Sequence, residues 1–227
     1  MFSSLPRFRR VAFGILLLAC ILSAFLADQP IAARLLLTPA HVIGGENLWS
    51  PITANFMFQD GELAYLLGTL FVQWFIGSEL EGFWGMRKYL VLVIGCGVAG
   101  HLASVALAPL FADVASTTVG GTTAIDLAAV AAFAVVFGKR PLRLLGALPL
   151  SARGLAILVI VLSVLGPLAR GAPWPVVLPW IVAMLGAVLM TTQPWRRLRD
   201  SGKLGGSKRK NRKSHLRVVP RDPQLLN

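Results

Sequence analysis

The stretch TVGGTTAIDLAAVAAFAVVFG, residues 118–138, decides the fold class of this chain. Its apolar part is close to the length of a helix that crosses a bilayer, which needs about 20 residues. A Gly-Gly-Thr-Thr sequence opens it, and Asp126 follows about one helical turn later. An ionisable side chain inside a membrane helix is a functional candidate by default. The stretch therefore predicts a membrane helix with a polar site near one end.

The composition supports a membrane protein along the whole chain. Hydrophobic residues make up 56% of the sequence and charged residues 14%, and the mean hydropathy is +0.70. The apolar runs are continuous rather than alternating, which excludes a β-barrel. We therefore expect an all-α protein with six membrane helices, in the runs Val11–Leu26, Glu62–Gly77, Tyr89–Phe111, Gly120–Phe137, Arg153–Ala169 and Pro173–Thr192.

The basic residues orient these helices, since Lys and Arg accumulate in cytoplasmic loops. If both chain ends are cytoplasmic, 20 of the 22 basic residues fall on that side, and only Arg34 and Arg170 face outward. The net charge of +12 then reflects topology, so no nucleic-acid partner is expected. This topology fits a bacterial inner membrane.

Three parts of the chain differ in composition. Residues 1–10 form a basic cytoplasmic N-terminus, 11–192 the membrane domain, and 193–227 a basic, disordered tail that can lie against anionic lipid. The apolar run continues past Cys20, which favours an uncleaved first helix over a signal peptide. The long first outside loop, about residues 28–61, is rich in aromatic side chains and is predicted to be amphipathic. Cys20 and Cys96 lie in apolar runs and are expected to be free thiols.

Several segments resemble the rhomboid family of intramembrane serine proteases. They are GGENLWSPITANF (44–56), FIGSELEGFWGMRKYLVLVIGCGVAG (75–100) and GGTTAI (120–125), and the similarity covers about residues 38–192. The resemblance implies a bundle of six transmembrane helices with an amphipathic first outside loop. In the family, a serine at the start of the fourth helix is activated by a histidine on the sixth.

The residues that this resemblance assigns to catalysis are altered here. Thr122 matches the serine position, and Thr123 the glycine after it. The sixth run contains no histidine, and Trp180 or a neighbour stands where the base belongs. Trp cannot accept a proton, because its indole nitrogen is only a donor. The positions of the family's oxyanion donors carry other side chains, namely Asp60, Tyr65 and Thr69.

Asp126 and His101 are the remaining candidates inside the spans. Asp126 lies four residues after Thr122 on one helix face, so the two side chains can meet. Its expected role is a hydrogen bond to Thr122 or to a facing helix that fixes packing. His101 as a relocated base, with Thr122 as nucleophile and Asp126 orienting it, is the less favoured hypothesis.

These features favour a pseudoprotease that binds transmembrane segments of client proteins in a polar pocket formed by Thr122, Thr123, Asp126 and Tyr65. One alternative is an endopeptidase that acts through Thr122 with a non-standard base, His101 or Asp126. A second is a small proton-coupled transporter that uses Asp126 and His101 as a relay. Membrane lipid and transmembrane clients are the expected partners, and no metal or small-molecule cofactor is expected.

Overall fold

The apolar runs form the helices of a mostly helical protein. A computed structural model describes residues 8–26, 28–58, 64–139, 141–144 and 148–193. The α-helices are α1 Arg10–Leu26, α2 Ala32–Leu35, α3 Pro39–Ile43, α4 Ser50–Thr53, α5 Ala64–Phe71, α6 Ser78–Trp84, α7 Met86–Leu107, α8 Ala112–Ser116, α9 Thr123–Phe137, α10 Ala152–Ala169 and α11 Leu178–Thr192. A π-helix, Val72–Gly77, joins α5 to α6, and two 3₁₀ segments, Ala54–Phe56 and Trp174–Val177, follow α4 and precede α11.

Three of these helical stretches are long and apolar enough to cross a membrane. They are Met86–Leu107, Ala152–Ala169 and Trp174–Thr192, while Arg10–Leu26 and Thr123–Phe137 are apolar but shorter. Large apolar side chains on the outward faces of α1, α10 and α11 are exposed, among them Phe25, Leu162 and Leu185. Apolar surface of this kind is suited to contact with lipid.

The centre of the bundle is α9, which packs against α7, α10 and α11. Every residue from Ala124 to Phe133 is buried. Apart from Asp126 these residues are apolar, as expected of a helix that is buried all round, and the alanines of α9 let its neighbours approach closely. The predicted fourth span is therefore the core of the protein.

The second predicted span is longer than its apolar run. Helical backbone continues from Ala64 through the π segment to Trp84, a total of 21 residues. Gly85 then reverses the chain with a φ of +80°, and α7 begins at the next residue. The helix therefore continues past Gly77, where the apolar run ends, because the polar sequence after it stays helical.

Glu81 lies on α6, the part of this helix that continues past the apolar run, and it contacts α1. Its side chain is 6% exposed, and its Oε2 atom accepts hydrogen bonds from the backbone N–H groups of Val11 and Ala12, both at 3.1 Å. These N–H groups lie in the first turn of α1, where no intrahelical partner exists. A carboxylate from another helix thus caps α1 and fixes it to α6.

Small residues let α7 approach α11. A Cβ atom at Gly100 would overlap the backbone carbonyl of Pro179, and one at Gly97 would overlap Asn55 and Ile125. Gly95, on the same helix, has open space around its Cβ position. Gly100 therefore allows the close contact of α7 with α11, and Gly97 allows close contact with the first outside loop and α9.

The first outside loop folds into α2, α3, α4 and the following 3₁₀ turn. Leu37 and Val119 exchange two backbone hydrogen bonds of 3.0 and 2.8 Å, which tie this loop to the segment before α9. Trp49 is 52% exposed, as an interfacial anchor would be.

A short β-hairpin interrupts the helical pattern between α9 and α10. Strands β1, Pro141–Leu144, and β2, Leu148–Ser151, pair antiparallel, with Pro141 opposite Ser151. The hairpin lies between the predicted runs Gly120–Phe137 and Arg153–Ala169, and the structure is mostly helical outside it. Residues 194–227 lie outside the described residues, so the basic tail stays a prediction.

Candidate functional site

A buried polar network surrounds Asp126 near the start of α9. Its Oδ2 atom accepts hydrogen bonds from the hydroxyl groups of Thr122, at 2.8 Å, and Thr69, at 2.9 Å. The two hydroxyl oxygens are themselves 2.5 Å apart. The Oδ1 atom accepts from the Nε2 group of Gln73 at 2.7 Å. Both carboxyl oxygens of Asp126 are therefore engaged by protein groups.

The other partners of Asp126 lie on one face of the second predicted span, because their spacing repeats every four residues. Tyr65, Thr69 and Gln73 are four residues apart and share one helix face. The π segment begins at Val72 and includes Gln73, and π-turns of this kind are frequent at functional sites. This face meets α9 at the turn that carries Thr122 and Asp126.

Tyr89 of α7 extends the network toward α6. Its hydroxyl donates to the Oε1 atom of Gln73 at 2.8 Å, and both side chains are fully buried. Our sequence interpretation did not include Gln73 or Tyr89. The four-residue spacing of Tyr65, Thr69 and Gln73 was a usable signal for Gln73, whereas nothing in the sequence placed Tyr89 beside it.

A cavity of about 570 Å³ lies beside this network, where α5, α9, α10 and α11 meet. Tyr65 and Thr123 line it, together with apolar side chains that include Phe58 and Trp180. Of the four residues predicted to form a pocket, Tyr65 and Thr123 face the cavity. The other two, Thr122 and Asp126, are buried in the network behind it.

Burial limits the chemistry open to Thr122. The residue has no exposed surface, and it is not among the described residues that line the cavity. Its hydroxyl lies within hydrogen-bond distance of Thr69 and Asp126. A nucleophile must reach the carbonyl carbon of its substrate, so this conformation does not present Thr122 for attack.

His101 is directed away from this network. Its Nδ1 atom lies 3.1 Å from the carbonyl oxygen of Pro51, which also accepts from the Nδ2 group of Asn55 at 2.9 Å. The ring is 1% exposed. The structure thus joins His101 to the first outside loop and does not bring it into the hydrogen bonds of Thr122 and Asp126, because its face of α7 packs against α4.

Two further predicted site residues, Trp180 and Thr69, lie at the cavity and in the network. Trp180 is 6% exposed and forms part of the cavity wall. Thr69 bonds to Thr122 and Asp126. Asp60 lies outside the described residues.

Across the described parts of the chain, no group of three or more His, Cys, Asp or Glu side chains could hold a metal ion. Cys20 is half-buried, Cys96 is buried, and both are free thiols.

Comparison with known proteins identifies the family at a coarse level. A family model described as "Eukaryotic integral membrane protein (DUF1751)" matches residues 10–188, and this family lies in the rhomboid-like clan. No curated protein matches the chain. The expected bacterial inner membrane was wrong, since the family is eukaryotic. A positive cytoplasmic side occurs in many membranes, so charge could not distinguish them. The match spans most of the chain, which therefore belongs to this eukaryotic integral membrane protein family.

Proposed function

We propose that this protein is a rhomboid-like pseudoprotease that binds transmembrane segments of client proteins and does not cleave them. One observation carries the proposal: the residue at the family's serine position, Thr122, is buried behind the cavity wall and bonded to Asp126. The cavity beside it is lined by Tyr65, Thr123 and apolar side chains. Such a mixture suits an apolar helix that carries a polar group, because an unpaired polar group in lipid is costly.

A six-span arrangement supports this role. The three long helices supply three spans, and the continuous helix Ala64–Trp84 is long enough for a fourth. The shorter helices α1 and α9 complete the set, and α9 is shielded from lipid by its neighbours. With both chain ends cytoplasmic, the cavity lies at the outer end of the bundle.

An endopeptidase is the rival hypothesis, and one contact favours it. The carboxyl group of Asp126 lies within 2.8 Å of the Thr122 hydroxyl, where a general base would have to be. Two features oppose it. Both oxygens of Asp126 are already bonded, and Thr122 is fully buried.

Cleavage and capture can be measured together on one sample. The purified protein is placed in lipid nanodiscs with a fluorescent transmembrane peptide that an active rhomboid protease cleaves, and that protease serves as the positive control. The Thr122→Ala and His101→Ala variants are run beside the wild type. Peptide fragments report cleavage. Energy transfer from a fluorophore on the purified protein to the fluorescent peptide reports capture.

We expect capture without cleavage by the wild type and by Thr122→Ala. Fragments that disappear in Thr122→Ala would overturn the pseudoprotease proposal in favour of the endopeptidase. Absence of both fragments and capture would overturn the binding role.

A further inference from the structure

The described lining of the cavity carries positive charge only. Among the described residues that line it, Arg170 is the one charged side chain, and none is acidic. Tyr65, Thr117, Thr118 and Thr123 are the hydroxyl-bearing residues of this wall, and the Thr117 hydroxyl already donates to the carbonyl of Asp113. The described part of the wall therefore combines hydroxyl groups with one positive charge and no carboxylate.

Arg170 holds its position through the end of α10. It follows Ala169, the last residue of that helix, and donates its backbone N–H to the carbonyl of Pro167 at 3.0 Å. The guanidinium lies over Gly166, where a Cβ atom would be 3.5 Å from its Nη2 atom. A cation at a helix C-terminus is favoured by the helix dipole, and Arg170 is an exposed residue of the cavity lining.

The outer side of the protein has few other cations. In the proposed topology only Arg34 and Arg170 lie on that side, and Arg34 is in α2, away from the cavity lining. Among the described residues of the lining, an anionic group that enters the outer end of the cavity thus has Arg170 as its one cationic partner. Arginine forms strong, charge-assisted hydrogen bonds with carboxylates.

We infer that the cavity selects transmembrane segments with an Asp or Glu side chain near their outer end, and that Arg170 determines this selectivity. The inference rests on the proposed client-binding function and names its substrate class. The apolar wall, which includes Val176 and Trp180, contacts the apolar part of the segment. The carboxylate pairs with Arg170 at the rim instead of remaining in the membrane interface.

The experiment compares three peptides that differ at one position. Each is a designed apolar transmembrane helix with Asp, Asn or Lys about one turn inside its outer end. Retention by the full-length protein is measured in nanodiscs of neutral lipid. The variants are Arg170→Glu and Arg170→Gln, and Arg34→Glu is the matched control, since it changes the same charge on the same side outside the cavity.

The wild type and Arg34→Glu are expected to retain the Asp peptide about tenfold better than the Asn peptide, the scale of a charge-assisted hydrogen bond. Arg170→Gln removes this preference. Arg170→Glu reverses it, so that the Lys peptide is retained best. A reversal of preference cannot result from misfolding, because an unfolded protein gains no new ligand.

Two results would overturn the inference. Equal retention of all three peptides by the wild type and Arg170→Glu would remove the charge selectivity while leaving client binding intact. If Arg170→Glu changed only the amount of anionic phospholipid that copurifies with the protein, the occupant of the rim would be a lipid headgroup. Failure to retain any peptide would overturn the proposed function itself.

Discussion

The Thr122 hydroxyl donates a 2.8 Å hydrogen bond to the Oδ2 atom of Asp126, one turn further along α9. Thr69 of α5 bonds to both groups, at 2.5 Å to the hydroxyl oxygen and 2.9 Å to the carboxyl oxygen. This triangle links two helices through three polar side chains in an apolar core. Thr122, which the resemblance to rhomboid proteases matches with their serine, thus forms part of a buried hydrogen-bond network.

The triangle predicts different effects for two substitutions of Asp126. Asp126→Ala leaves Gln73, Thr69 and Thr122 without their common partner, and we expect it to lower the free energy of unfolding by about 1–3 kcal/mol. Asp126→Asn keeps an acceptor for Gln73 and supplies N–H donors to the two hydroxyl oxygens, so its effect should be under about 1 kcal/mol. Reversible unfolding in bicelles measures both values.

Asp113→Ala is the control for this comparison, because Asp113 is exposed on α8. It should change stability by less than about 0.5 kcal/mol. Equal stability of Asp126→Ala and wild type would contradict a structural role for the network.

The contact between α6 and the start of α1 gives a local prediction. Glu81→Ala removes the acceptor of the Val11 and Ala12 N–H groups, and loss of a helix cap costs typically about 1 kcal/mol. Amide hydrogen exchange at these two residues should become faster while exchange in α9 stays unchanged. Glu46→Ala, at an exposed position, should leave both regions unaffected. Unchanged exchange at Val11 and Ala12 would argue against the cap.

The approach of α7 to α11 predicts opposite outcomes for two glycines on one helix. Gly100→Ala places a methyl group against the Pro179 backbone, and overpacking of this kind costs typically about 1–3 kcal/mol. Gly95→Ala meets open space and should be neutral or stabilising by up to about 1 kcal/mol, since Ala favours helix. Thermal unfolding in detergent compares the two. A destabilised Gly95→Ala beside an unaffected Gly100→Ala would contradict the packing described here.

The local features of this protein could be predicted from its sequence. Apolar runs of helical length located α1, α7, α9, α10 and α11, and four-residue spacing predicted the contact of Thr122 with Asp126. Both signals depend on neighbours along one helix, so they need no knowledge of the fold.

Contacts between distant segments could not be predicted in this way. Glu81 bonds to residues about 70 positions earlier in the chain, and His101 to a carbonyl 50 positions earlier. These pairings depend on how helices are oriented in the bundle, and the π segment Val72–Gly77 alters the orientation of the second span. Sequence spacing alone therefore left open whether His101 could reach Thr122.

Photocrosslinking from α5 measures whether a client occupies the cavity. A photoreactive amino acid is placed at Tyr65, which lines the cavity, or at Leu67, which is on the same helix and is 70% exposed on its outer surface. A transmembrane peptide with an acidic residue near its outer end is then added in nanodiscs. Strong crosslinking from position 65 and weak crosslinking from position 67, with the peptide recovered uncleaved, is the predicted result. Equal crosslinking from both positions, or recovery of a cleaved peptide, would contradict a client-binding cavity in a protein without protease activity.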